Sequence, residues 1–274
     1  MKLKELESRL SCVRLFEEPN VMLEQYPTSA HIAARILYTA QQSFEDIEGR
    51  VVGDFGCGTG MLTCAAAILG CERVIGIDID DKALRQAAEN VQRLDLSDRV
   101  ELIRGDLSSP PLRDGEAPFD TIVMNPPFGT RVRGIDMTFL THAIRSCSRA
   151  VYSLNKTSTR LHIQKTAGSL GALGSVIATL RFDIPKMYAF HKKTSADVEV
   201  DLWRFVPNAD VATIDAALEK MMAQIRLSKR EERRSASGRG KGGRRAGGGG
   251  NEKGCDRRRR DNNKRNTGRR RRRA

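Results

Sequence analysis

No apolar run in the 274 residues approaches the roughly 18 needed to cross a bilayer. Met1–Leu10 carries charge where a secretory leader would be apolar, so no membrane partner is expected. The six cysteines (Cys12, Cys57, Cys64, Cys71, Cys147 and Cys255) form no C-x-x-C pair, which argues against a structural zinc site in this chain, and no metal is expected. Five of them sit in or beside apolar, helical or motif segments, as free thiols do in a reducing compartment. No internal repeat is visible. These absences predict a soluble, intracellular protein.

Apolar side chains almost vanish at one end. From Lys229 to Ala274 there are four (Ala236, Ala246, Cys255, Ala274) beside ten glycines, too few to bury a core, so disorder is expected there. The same 46 residues hold 20 Lys+Arg and 5 Asp+Glu, a net of +15. The remaining 27 Lys+Arg and 29 Asp+Glu leave residues 1–228 at −2. The overall +13 is thus a basic tail on a near-neutral globule.

Leu3, Leu6, Leu10, Val13 and Phe16 recur at helical spacing over residues 2–16, and Thr28 or Ser29 can cap a second helix through Ala40. From residue 50, short apolar runs read as buried strands: Val51–Phe55, Val74–Ile79, Val100–Ile103 and Thr121–Met124. Between and after them Met61–Leu69, Lys82–Leu94, Asp136–Ala150 and Ser158–Leu170 read as helices. Such alternation implies an α/β, doubly wound, mostly parallel sheet with right-handed crossovers. Val176–Ile184 and Asp197–Val206 follow with no helix between them, a C-terminal antiparallel hairpin. Ala209–Leu227 has helical spacing. The expected organisation is one domain over 1–207, a further helix over 208–228, and the basic tail over 229–274.

The first strand runs into Gly56-Cys57-Gly58-Thr59-Gly60 and then a helix. Glycines there let the backbone approach a ligand closely. The dinucleotide fingerprint is G-x-G-x-x-G, whereas this spacing is G-x-G-x-G with Asp54 just before it. An acid at that point would repel a pyrophosphate but suits an ammonium or sulfonium, which favours S-adenosylmethionine. Asp78, 24 residues on at the next strand end, can accept both ribose hydroxyls; Asp106, after the third strand, can bind an adenine amine. Any one of these acids alone reads equally as a helix cap or a solvated loop carboxylate; three at consecutive strand ends point to the cofactor.

Asp120–Met124 delivers Asn125-Pro126-Pro127-Phe128 to the carboxyl edge of the sheet, with two prolines fixing the backbone. Methylating an –NH2 group requires acceptors that orient its hydrogens and stabilise charge growing on nitrogen. Asn125 Oδ1 and the Pro126 carbonyl supply them, and Phe128 can stack on a planar group such as a flipped base. Taken singly, N-P-P-F is also an ordinary turn. After the glycine loop it resembles class I methyltransferases that act on a planar amine or amide nitrogen.

Further segments resemble a narrower group. Leu3–Leu10, Leu23-Glu24-Gln25-Tyr26-Pro27-Thr28, Asn125–Thr130, Ala150–Leu154, Phe190-His191-Lys192-Lys193 and Asp197–Leu202 look like the methyltransferase-like protein 5 family, over residues 2–206. The resemblance implies N6 methylation of one adenosine in small-subunit ribosomal RNA, by a heterodimer with a small zinc-binding activator subunit. It implies that Gln25 and Thr28 close over the methionine end of the cofactor, and that Gly56, Thr59 and Met61 line the loop with Gly58 and Gly60. Asp78 would take the ribose, Asp106 and Leu107 the adenine, and Asn125 to Phe128 the target base. The family often has cysteine where Thr59 stands.

Arg131, Arg133, Lys192 and Lys193 are candidates for gripping RNA near that base. The Arg/Gly tail suits phosphate attraction or a nuclear or nucleolar address, alongside a cytoplasmic pool. Two other readings stay open: a protein glutamine-amide methyltransferase, and a cofactor-binding RNA assembly factor without turnover.

Overall fold

The computed structural model describes residues 1–108, 117–185 and 195–239. The chain divides into two units, Met1–Leu227 and Ser228–Ala274. In the first, helices α1 (Leu3–Leu10) and α2 (Ala30–Phe44) precede an alternating series. That series is β1 (Val51–Phe55), α3 (Met61–Ile68), β2 (Arg73–Asp78), α4 (Asp81–Arg93), β3 (Val100–Arg104), β4 (Phe119–Met124) and α5 (Ile135–Arg145). Then come β5 (Cys147–Lys156), α6 (Arg160–Ser169), β6 (Leu173–Pro185), β7 (Ser195–Val206) and the start of α7 (Val211–Arg239), whose last residues belong to the second unit.

The seven strands pair in the order β3-β2-β1-β4-β5-β7-β6, parallel except for β7, which runs antiparallel between β5 and β6. The chain winds one way from β1 to β3 and the other from β4 onward. The crevice for a ligand therefore opens at the carboxyl ends of β1 and β4, where strand order reverses. Register sets Asp54 beside Val123 and Phe55 beside Met124, so the strand ends carrying Asp54 and Asn125 are neighbours.

Alternation along the strands builds two cores. Val52 and Val123 face α1, α2, α3 and Val91 of α4, whereas Phe55, Ile122 and Met124 face Leu140 of α5 and Ile163 of α6. Helix α3 (MLTCAAAI) is apolar all round because it is buried all round. Helix α2 is capped by Ser29, whose hydroxyl accepts from the Ile32 N–H, and α4 by Asp80, which accepts from the Lys82 N–H.

The expectations fail in four places, the second helix running on to Phe44 instead of ending at Ala40. The first helix stops at Leu10, not Phe16, although Val13 is still buried. The expected helix 136–150 ends at Arg145, and Ala150 already belongs to β5, a strand the spacing did not reveal. Helix α7 continues to Arg239, so residues 229–239, expected to be disordered, are helical. Among the described residues no helix is long and apolar enough to cross a membrane.

Candidate active site

A cavity of about 330 Å3 lies at the β1–β4 switch, within the usual size of a small-molecule site. After β1 the chain turns through Gly56, Gly58 and Gly60, all at positive φ. The N–H groups of Gly56 and Cys57 bond back to the Ile77 carbonyl at the end of β2, and the Gly58 N–H donates to Asp78 Oδ2 at 2.8 Å. A Cβ on Gly58 would meet the tip of the Phe16 ring at 2.8 Å and push it aside, and the positive φ of 54° itself favours glycine.

The acids are not alike. Asp54 is 1% exposed; Oδ2 accepts from the Thr63 hydroxyl at 2.6 Å, while Oδ1 is buried with no hydrogen bond among the described residues. Burial pushes its carboxyl up to about 7, against the pull of the Thr63 hydrogen bonds. Asp78 accepts from the Gly58 and Asp80 N–H groups, and burial raises its pKa as well. Asp106 is solvent-facing and held below the usual carboxylate range by Ser108, whose N–H it accepts at 2.8 Å.

The N-terminal segment forms the opposite wall. Gln25 accepts from the Asn20 N–H and donates to Asp80 Oδ2 at 2.8 Å. Thr28 Oγ1 accepts from Asn125 Nδ2 at 3.0 Å, which commits the amide nitrogen of Asn125 and leaves its oxygen available. Glu24 is buried, and its two oxygens accept from the Phe128 and Arg131 N–H groups at 3.0 and 2.8 Å.

Gln25, Thr28, Asp54, Gly56, Gly58, Thr59, Met61, Asp78, Asp106, Leu107, Asn125 and Pro127 thus all line one cavity. Three expected residues do not. Gly60 is the N-cap of α3, and a Cβ there would press on Ala87 Cβ of α4 at 3.3 Å, so it serves helix packing instead. Pro126 and Phe128 adjoin the cavity in the turn beyond Asn125 without forming its wall. Arg131 and Arg133 are exposed in that same turn. Lys192 and Lys193, with the Phe190–Lys193 motif, lie outside the described residues.

Glu24 and Lys156 went unnoticed in the sequence. Lys156 Nζ stands 5.6 Å from the Phe128 ring centroid and donates to the Phe128 carbonyl at 3.4 Å. Glu24 sits inside a motif already singled out, where a lone acid between Leu23 and Gln25 was the available signal.

The residues fit S-adenosylmethionine. An orphaned buried carboxylate oxygen on Asp54 awaits a cation, and Asp78 stands one strand away at the ribose position of such folds. Sheet order, glycine turn and Asn125–Phe128 turn together define a class I S-adenosylmethionine-dependent methyltransferase. Residues 28–126 match the family model of ribosomal protein L11 methyltransferase (PrmA). The rRNA N(6)-adenosine-methyltransferases of Danio rerio and Drosophila melanogaster are 50% and 48% identical, over 76% and 75% of this chain and 100% and 96% of theirs. A candidate RNA methyltransferase from Pyrococcus horikoshii superposes with a TM-score of 0.67 at 34% identity, over 76% of this chain and 98% of its own. The chain belongs to the rRNA N(6)-adenosine-methyltransferase Mettl5 family, and its cofactor is S-adenosylmethionine.

Proposed function

We propose that the protein methylates N6 of an adenosine in small-subunit ribosomal RNA, with Asn125 orienting the flipped adenine amine. The carrying observation is the Thr28–Asn125 hydrogen bond, which fixes the side-chain amide with its acceptor oxygen uncommitted at the cavity wall. The bound cofactor supplies an electrophilic methyl group. Asp54 would hold the cationic end of the ligand, Asp78 the ribose and Asp106 the adenine edge, in the same cavity whose wall carries Asn125. Asn125 Oδ1 and the Pro126 carbonyl would accept the two amine hydrogens and stabilise the positive charge that develops on nitrogen as the N–C bond forms and the S–C bond breaks; S-adenosylhomocysteine would leave and one amine proton would pass to solvent. The Phe128 ring, with Lys156 beside it, gives the extruded base a surface to stack on.

The names of the relatives and the cationic residues near the turn support RNA over a protein amide. The match to the L11 methyltransferase model ends at Pro126, so it speaks for the cofactor half and not for the substrate. The same reading includes a small zinc-binding activator as partner. Among the described residues β3 is an edge strand of the sheet, with Ile103 42% exposed, which suits an added strand. Co-expression with the activator should raise yield and melting temperature; equal values with and without it count against the partner. Nuclear or nucleolar and cytoplasmic residence, with the tail as address, belongs to this proposal too.

The test combines co-expressed protein, labelled S-adenosylmethionine and small-subunit rRNA from cells lacking the enzyme, with digestion to nucleosides. N6-methyladenosine should form and fall about 100-fold in Asn125→Ala. Label on a glutamine-containing protein, or nowhere while cofactor still binds, would replace this reading with one of its two rivals.

A further inference from the structure

We infer that Glu24 is a positioning residue for methyl transfer, holding the Asn125–Arg131 turn in working shape from across the cavity; this rests on the function proposed above. Thr28 ties the start of the turn at Asn125 and Lys156 reaches the Phe128 carbonyl, while Glu24 takes the backbone N–H groups of Phe128 and Arg131. Strand β4 ends at Met124, where pairing with β1 and β5 also ends. Pro126 and Pro127 have no N–H to donate, so Phe128 carries the first backbone donor after Asn125. That donor goes to Glu24 Oε2 at 3.0 Å, and the Arg131 N–H goes to Oε1 at 2.8 Å. One carboxylate therefore brackets the stretch that presents the Phe128 ring.

Glu24 is built for this contact. It is 7% exposed and lies on the cavity wall, and its backbone takes the left-handed conformation at φ 52°, which few non-glycine residues adopt. A buried carboxylate is stable only when its oxygens are satisfied, and here two backbone N–H groups satisfy them. The same short segment grips Asn125 through Thr28 and reaches Asp80, two residues past Asp78, through Gln25. Glu24 thus faces the acceptor side while its neighbour faces the cofactor side. Gln at position 24 keeps one acceptor oxygen and sets an –NH2 against the second N–H. Asp is one methylene short of spanning both donors. Either variant loosens the turn without emptying the cavity.

The test uses the full chain co-expressed with the activator, as wild type, Glu24→Gln and Glu24→Asp. Four properties are read: kcat and KM on rRNA, S-adenosylhomocysteine affinity by calorimetry, melting temperature, and amide exchange at Phe128 and Arg131. A positioning role predicts kcat lower by about 10- to 100-fold in both variants, with cofactor affinity and RNA KM within about threefold of wild type. It also predicts faster exchange at the two amides with global protection unchanged. Unchanged kcat overturns the proposal. So does a kcat loss matched by equal losses of cofactor affinity and melting temperature, which would make Glu24 a residue that merely holds the fold. Absence of N6-methyladenosine from wild type itself overturns the functional reading instead, and exchange at Phe128 and Arg131 still reports on the contact.

Discussion

Asp54 couples the site to pH. Burial raises its carboxyl to about 7 from an ordinary 3.8, so the ligand-free fold retains a proton that the unfolded chain releases. The stabilising contribution is complete below about 4 and is lost as pH rises toward 7. A cation seated on the unpartnered Oδ1 would favour the ionised form, so cofactor binding there would expel that proton. Cofactor affinity should therefore climb with pH to about 7 and level off above it, with proton release visible by calorimetry in buffers of different ionisation enthalpy. Asp54→Asn should weaken the cofactor about tenfold, flatten the pH profile, and raise the ligand-free melting temperature near pH 8. A wild-type affinity that is flat across this range would remove Asp54 from the cation site. Asp54 was legible in sequence because its chemistry is local, an acid two residues before the first glycine of the turn. Glu24 was not, since its partner Phe128 lies 104 residues away and no periodicity reports such a contact.

Elements were legible where punctuation separates them. Strand β1 is followed by a glycine turn and β2 by an acid that caps the next helix, and the sequence pattern places both within a residue or two. Strand β5 was hidden because Ser146 alone parts it from α5, with no Gly or Pro to mark the change of period. Helix α7 outran its expected end for a different reason. The composition of residues 229–239 precludes a core, yet Glu231, Glu232, Arg233, Arg234 and Ala236 are good helix formers extending an existing helix, which needs no new nucleus.

The missed strand also carries a clamp. Asp46, wholly buried after α2, is met by Arg149 and Tyr152 of β5 and by Arg204 of β7; the Tyr152 hydroxyl donates at 2.6 Å and Arg204 Nε at 3.0 Å. Arg204 also lies 4.4 Å from the centroid of the Phe44 ring, and burial with Asp46 raises the Tyr152 pKa. Removing one donor strands part of a buried carboxylate, so Arg204→Leu should cost about 2–3 kcal/mol in a denaturant melt. Cofactor affinity at native temperature should hold, because Thr121, which donates to the Asp46 carbonyl, lies in the amino-terminal half of β4, away from the carboxyl end that carries Asn125. A parallel drop in affinity would place the network in the site.

Over the whole molecule the charge is divided, and the division predicts a division of labour. Residues 1–228 carry a net −2 and hold the cavity, whereas residues 240–274 alone contain 15 Lys+Arg against 3 Asp+Glu. The Drosophila relative is matched over 96% of its length within 75% of this chain, so methyl transfer in this family is carried by the shared part. If the cationic residues of the tail bind RNA, they would do so through phosphates, which are the same in every sequence, and each phosphate neutralised adds about 0.7 to the salt slope of binding for a single strand. Removing residues 240–274 should therefore weaken RNA binding at low salt and flatten log K against log salt by about 2 or more. Cofactor affinity and kcat at saturating RNA should stay at the full-chain values, because the Asp54–Asn125 wall is intact. Filter binding across a salt series, with single-turnover methylation beside it, separates the outcomes. A slope that survives truncation would mean that the phosphates are held by the globule, through Arg131, Arg133 and Lys156 around the Phe128 turn, and would leave the tail to an address.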